Sequence, residues 1–133
     1  GAAPEEPHVL VVEDNPINQI VARRMLEKLG CTVVTVANGQ QAVDCSGHER
    51  FDVLFMDCQM PVMDGYEATR AIRKREARLG TEPVPIVAMT ANALQSDEEK
   101  CLAAGMDAYL SKPVLAGALE ASLQRAIAPR RAA

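Results

Sequence analysis

Short runs of consecutive apolar residues alternate along this chain with longer stretches in which apolar positions recur at helical spacing. The runs are Val9–Val12, Val33–Val36, Val53–Met56, Ile86–Met89 and Ala108–Leu110. Most are apolar on successive residues, as strands covered on both faces must be; a half-exposed strand would alternate. The stretches between them predict helices. The chain therefore reads as βα repeated five times, a pattern that calls for a parallel sheet with helices on both sides.

The helices carry their own punctuation. Asn15 followed by Pro16 predicts an N-cap and a first helical residue, after which Ile17, Val21, Met25 and Leu29 line one face and Gly30 stops the helix. Asn38 with Gln41, Asp64 with Glu67 and Ser96 with Glu99 have the spacing of a capping box, and Gly105 closes the fourth helix. Leu115, Leu119, Leu123 and Ile127 give the last helix an apolar stripe that Gly117 weakens slightly.

Composition narrows the class. The 133 residues suffice for one domain, expected over residues 8–128, with a linker at 1–7 and a flexible tail at 129–133. Aromatics make up 3% of the chain and Trp is absent, so the core must be aliphatic. The formal charge is −4, with Lys and Arg scattered, which argues against direct nucleic-acid binding. No apolar run approaches the length of a membrane span and no signal peptide is evident, so a cytoplasmic domain without membrane contact is expected. Cys31, Cys45, Cys58 and Cys101 have neither CxxC nor zinc spacing and read as isolated buried thiols in a reducing compartment.

The residues at the end of each strand are more informative. The first run ends in Glu13-Asp14, the third in Asp57, the fourth in Thr90 and the fifth in Ser111-Lys112. In an open parallel sheet, ligands bind outside the carboxyl ends of the strands, where strand order reverses. Three carboxylates, a hydroxyl and an ammonium would then converge on one edge. Carboxylates so close repel one another unless a cation intervenes, and oxygen ligands without Cys or His point to Mg2+, with Mn2+ as an alternative. Lys112 can pair with the carboxylates at rest and with a phosphoryl oxygen afterwards, Thr90 can donate to a second oxygen, and Asp57 is the natural nucleophile. Singly, each residue could be an ordinary strand end or helix start; their conjunction at one edge is what carries the chemistry.

The segments VLVVEDNPINQ (9–19), DVLFMDCQMPVMDG (52–65), PIVAMTAN (85–92) and GMDAYLSKP (105–113) resemble the response-regulator receiver family in order and spacing, over about His8 to Ile127. The resemblance implies a flavodoxin-like fold, a five-stranded parallel sheet of order 2-1-3-4-5 flanked by five helices. It implies that Asp57 is the phosphoacceptor in a two-component phosphorelay. Asp14 would ligate Mg2+ directly, Glu13 through water, and Gln59 through its backbone carbonyl. Thr90 resembles the switch hydroxyl, Tyr109 the switch aromatic, Lys112 the phosphate-contacting lysine, and Lys112-Pro113 a cis peptide. Glu13 departs from the commoner Asp, which should only reposition a bridging water.

The segment EDNPINQ looks particularly like receivers fused to hybrid sensor kinases, which would make a histidine kinase or a histidine phosphotransfer domain the partner and the domain the cytoplasmic part of a sensor. A stand-alone or transcription-factor receiver is the alternative, and self-association into a weak dimer stays open. Such a domain assists its own phosphorylation and dephosphorylation. Three other functions fare worse. A phosphohydrolase forming an aspartyl-phosphate would need an acid where Gln59 stands. A flavin carrier would not place Glu13-Asp14 in its phosphate loop. A module that is never phosphorylated would be expected to lack Asp57, Thr90 or Lys112. Met60, Met63 and Met89 read as packing residues rather than a cofactor box.

Overall fold

The computed structural model describes residues 5–91 and 95–128. Five strands and five helices alternate: β1 (His8–Val12), α1 (Pro16–Lys28), β2 (Thr32–Val36), α2 (Gly39–His48), β3 (Val53–Asp57), α3 (Gly65–Leu79), β4 (Ile86–Thr90), α4 (Gln95–Ala104), β5 (Ala108–Ser111) and α5 (Ala116–Ile127). All strands are parallel and the sheet order is β2-β1-β3-β4-β5, the flavodoxin-like arrangement expected. Strand order reverses between β1 and β3, so their carboxyl ends flank the crevice in which such sheets bind ligands.

Burial explains why the central strands look continuously apolar. β3 and β4 are buried at every residue and β1 at all but His8, whereas the edge strands β2 and β5 are only partly covered. Alternate residues enter two separate cores. Leu10, Val12, Leu54, Met56, Ile86 and Ala88 face one layer with Ala42, Ala68, Ile72 and Cys101 from α2, α3 and α4. Val9, Val11, Val53, Phe55, Val87 and Met89 face the other with Leu26 from α1 and Leu119 and Leu123 from α5. Met60 and Met63 pack against the first core and Met89 lies within the second, so all three methionines serve packing.

Most helix punctuation is where the sequence places it. Asn15 accepts hydrogen bonds from the Ile17 and Asn18 N–H groups, with Pro16 opening α1. Asn38 accepts from Gln41 N–H at 2.9 Å, while the Gln41 side chain returns to Ala37 N–H at 2.7 Å, one residue earlier than in an ideal box. Asp64 accepts from Glu67 N–H at 2.9 Å. Gly30 and Gly105 follow their helices with φ of 90° and 104°, a left-handed conformation that costs glycine little. Ser96 differs in position: α4 begins at Gln95, so Ser96 falls within the helix and not before it.

Two apolar stripes are corrected by the structure. On α1, Met25 packs against the core as expected, but Ile17, Val21 and Leu29 are exposed, and Ala22 and Leu26 take their place. On α5, Leu119 and Leu123 are buried and Ile127 is half-buried, but Leu115 is exposed at the N-cap. The reason is geometric. At 3.6 residues per turn, a strict four-residue spacing advances about 40° per step, so a row of four such residues winds about 120° around the helix.

At the amino ends of the strands, polar contacts close the fold. Pro7, expected in the linker, is buried and its carbonyl accepts Thr32 N–H at 2.9 Å, which extends the β1–β2 ladder. The His8 ring stacks on Phe51 and contacts Thr32 Oγ1 and the Glu49 carboxylate. Arg73 of α3 joins Glu76, Asp107 and the Gly105 carbonyl, tying α3 to the α4–β5 turn.

Candidate phosphoryl-transfer site

Each strand carries its last residues to the same edge. β3 ends on Asp57, which is 4% exposed, and the chain then turns into the Cys58–Asp64 loop. Cys58 N–H donates to the Met89 carbonyl, and the Cys58 carbonyl accepts Gly65 N–H at 3.2 Å. This turn brings the start of α3 against the end of β3. A Cβ at Gly65 would stand 2.2 Å from the Asp57 carbonyl oxygen, so only glycine fits there. Within the loop Met63 N–H donates to the Pro61 carbonyl around Val62, an exposed residue with φ of 72°. A β-branched residue in that region is strained by about 1–3 kcal/mol.

Glu13, Asp14 and Asp57 come together as the sequence predicts. One carboxylate oxygen from each lies within 4.8 Å of the others. Glu13 is buried, Asp14 exposed and Asp57 buried, so the cluster has one open side. The Lys112 ammonium reaches in from the loop after β5, 2.9 Å from Asp57 Oδ2 and 3.0 Å from Glu13 Oε2. Asp57 Oδ1 accepts Gln59 N–H at 3.1 Å, so Gln59 meets Asp57 through its amide; the metal-ligand role expected for its carbonyl is a separate matter. Lys112-Pro113 is cis, as the resemblance implies.

Residues on the first turn of α1 complete the site, a role that the sequence pattern alone did not assign to them. Glu13 Oε1 accepts Asn15 N–H at 3.2 Å and lies 3.5 Å from Asn18 Nδ2, while Gln19 Nε2 donates to the Glu13 carbonyl at 2.6 Å. Their position one helical turn beyond the acidic pair was the available signal. Thr90 is buried at the end of β4, its carbonyl accepting Lys112 N–H at 2.8 Å and its hydroxyl 3.5 Å from Asp97 Oδ2. Tyr109 projects outward from β5, with its hydroxyl 3.5 Å from Glu98 Oε2. Both expected switch residues therefore face the first turn of α4, on adjacent carboxylates that no sequence motif singled out.

The electrostatics follow from one ammonium among three carboxylates. Burial pushes the Glu13 carboxyl above its usual value; the Lys112 hydrogen bond opposes this, and the charge of Asp57 adds to it. Burial acts against the Lys112 charge, but hydrogen bonds to Asp57 and Glu13 outweigh it and hold the ammonium above its ordinary pKa. The two directions describe one imbalance, in which the lysine is retained as a cation while Glu13 remains under-compensated. All-oxygen donors with one open side fit a hard divalent cation such as Mg2+ rather than zinc.

An open doubly wound sheet with a carboxylate cluster, a hydroxyl and a lysine at its switch point defines a phosphoryl-accepting α/β domain. The response regulator receiver domain model matches residues 9–124, and the chain belongs to that family. It is 46% identical to the sensor protein GacS of Pseudomonas syringae pv. syringae over 81% of its own length and 12% of that protein. It thus spans about an eighth of this relative. The crystal structure of the receiver domain of sensor histidine kinase PA1611 from Pseudomonas aeruginosa, with a magnesium ion in its active-site cleft, shares 50% identity at a TM-score of 0.81, covering 92% of this chain and 98% of that one. The receiver domain of Ssk1 from Saccharomyces cerevisiae, solved with the phosphotransfer protein Ypd1, gives 36% identity at a TM-score of 0.89, covering 96% and 92%. Among the described residues, no helix is long and apolar enough to cross a membrane.

The charge imbalance leads to a direct expectation. Asp14→Asn removes one repelling charge, so the metal-free domain should melt higher by about 3 °C, while the rise in melting temperature on adding Mg2+ is lost. In the wild type that rise should shrink as pH falls through the raised pKa of Glu13, because protons then compete for a ligand group. The sign for the metal-free fold is the reverse: protonated Glu13 is favoured, so its contribution is complete below the ordinary carboxylate value and is lost as pH rises through the raised one. Calorimetry with and without Mg2+ at two pH values checks all three.

Proposed function

We propose that this chain is the receiver domain of a hybrid sensor histidine kinase, in which Asp57 accepts a phosphoryl group from a phosphohistidine beside a Mg2+ ion. The observation that carries the reading is the position of Asp57, buried at the end of β3, within reach of two further carboxylates and paired to Lys112. A bound Mg2+ would neutralise charge on the transferred group. Asp14, Asp57, the Gln59 carbonyl and, through water, Glu13 are the groups that would hold it. Asp57 attacks phosphorus, Lys112 leaves its carboxylate partners for a phosphoryl oxygen, and Thr90 donates to another. Domain limits of 8–128 and a cytoplasmic setting accompany this reading, and its support for a kinase origin is the likeness to GacS and PA1611. With Mg2+ and acetyl phosphate, the protein should gain one acid-stable, base-labile phosphoryl group. Asp57→Asn should remove it completely, and undiminished labelling of that variant would discard the assignment.

The partner is a histidine phosphotransfer domain or the kinase's own histidine, and the exposed apolar face of α1 supports this. Ile17, Ile20 and Val21 are exposed beside a cavity of about 400 Å3 walled by Ala22, Met25, Pro113 and Val114 and reaching Glu13 and Lys112. Apolar surface next to a catalytic cleft is suited to a donor that must bring its phosphohistidine to Asp57. Ile20→Asp should slow transfer from a phosphotransfer protein by about tenfold while leaving acetyl phosphate labelling unchanged. Equal slowing of both reactions would mean that the substitution acts on the site instead.

The output is a shift of α4 and its neighbours. At rest Thr90 faces Asp97 and Tyr109 faces Glu98, so α4 is read by both switch residues. Drawing the Thr90 hydroxyl to a phosphoryl oxygen gives up the first contact and leaves room for Tyr109 to turn inward. Beryllofluoride with Mg2+ should therefore perturb amide NMR signals of α4, β5 and the start of α5. Thr90→Ala should keep phosphorylation at Asp57 and lose most of the distant perturbation; full propagation in that variant would rule the switch out.

A further inference from the structure

Cys58 and Cys101 are not isolated thiols. Their sulfurs lie 3.9 Å apart, although 43 positions separate them in sequence. Both are buried in the core beneath α3 and α4. Their backbones are pinned: Cys58 N–H donates to Met89 and its carbonyl accepts Gly65 N–H, while the Cys101 carbonyl accepts Met106 N–H. Closing the remaining gap to a bond length of about 2.05 Å calls for side-chain rotation and small adjustments in α4. Cys58 directly follows Asp57, and Cys101 lies one helical turn beyond Asp97 and Glu98. The pair thus spans the junction between the carboxyl end of β3 and the helix that faces Thr90 and Tyr109.

We propose that Cys58 and Cys101 are a redox pair that a peroxide converts to a disulfide, tethering α4 to the end of β3. One thiolate attacks a peroxide oxygen, the O–O bond breaks, and a sulfenic acid forms as the departing hydroxide takes up a proton to become water. The second thiolate attacks that sulfur, forms the S–S bond and expels a second hydroxide, also protonated to water. Two thiols and one peroxide give one disulfide and two waters, with two electrons passing from sulfur to oxygen. Both thiols are buried, so oxidation proceeds through openings of α4 that admit both base and oxidant. Half-buried Cys45 supplies an internal comparison, since it needs less opening to react.

The test treats the reduced protein with hydrogen peroxide, blocks remaining thiols, and maps peptides without reductant. Before blocking, the disulfide lowers the protein mass by two hydrogens, which dithiothreitol restores; after blocking, mapping yields a peptide joining Cys58 to Cys101. Recovery of the two cysteines on separate peptides after Cys45 has reacted, whether still reduced or carried to sulfinic acid, overturns the proposal. A chain bearing Cys31→Ala and Cys45→Ser, checked for native secondary structure, should give the same linked peptide; its absence there also overturns it. In the oxidised protein, amide hydrogen exchange within α4 should slow by about tenfold, and unchanged exchange would overturn the tether. No metal or phosphoryl group takes part, so the result is separate from the fate of Asp57 as phosphoacceptor.

Discussion

The Lys112 ammonium lies between Asp57 and Glu13, at 2.9 Å and 3.0 Å, so the carboxyl ends of β1, β3 and β5 share a single positive charge. Removing that charge would leave three clustered carboxylates, two of them buried, with no ion-pair partner among the described residues. Its loop is held by the Lys112 N–H bond to the Thr90 carbonyl, which brings β4 into the same arrangement. The geometry of four strand ends therefore depends on an ion pair that is incomplete: one cation cannot satisfy three acids. The site has electrostatic capacity left for a divalent ion, and the lysine can change partners without leaving the cleft.

Much of this was legible in the sequence, for identifiable reasons. The strands were visible because β1, β3 and β4 are covered on both sides and must be apolar at successive positions. The convergence of Glu13, Asp14, Asp57, Thr90 and Lys112 followed because a parallel sheet puts every strand's carboxyl end on one edge. Caps such as Asn15, Asn38 and Asp64 are local chemistry and are readable locally. The buried face of α1 was not, because Ile17 and Val21 are as apolar as the residues that do face the sheet, and helical drift separates them by angle alone. Nor was the meeting of Cys58 with Cys101, 43 positions apart, or of Tyr109 with Glu98 across the α4–β5 turn, because no spacing rule connects either pair.

The switch residues and the thiol pair lie with α4, and the expected partner surface lies across the sheet from them. Thr90 and Tyr109 face α4, while Ile17, Ile20 and Val21 face outward from α1 on the opposite side of the sheet. Input through α1 and output through α4 need not compete for surface, and a donor seated on one layer leaves the other free to respond. Cys58 and Cys101 belong to the α4 layer, so a bond between them would constrain the response rather than the delivery.

The division of each strand between two cores bears on how such a chain can change over evolutionary time. In β3, Leu54 and Met56 belong to one layer and Val53 and Phe55 to the other, leaving Asp57 as the next step of a strict alternation. Inserting or deleting one residue within the strand would exchange the two sets and turn the carboxylate to the wrong side of the edge. Length variation must then be absorbed by the connecting loops, while substitutions within a strand need only respect volume. The strand behaves as a ruler with two-residue divisions, and the acceptor's location is a count along it.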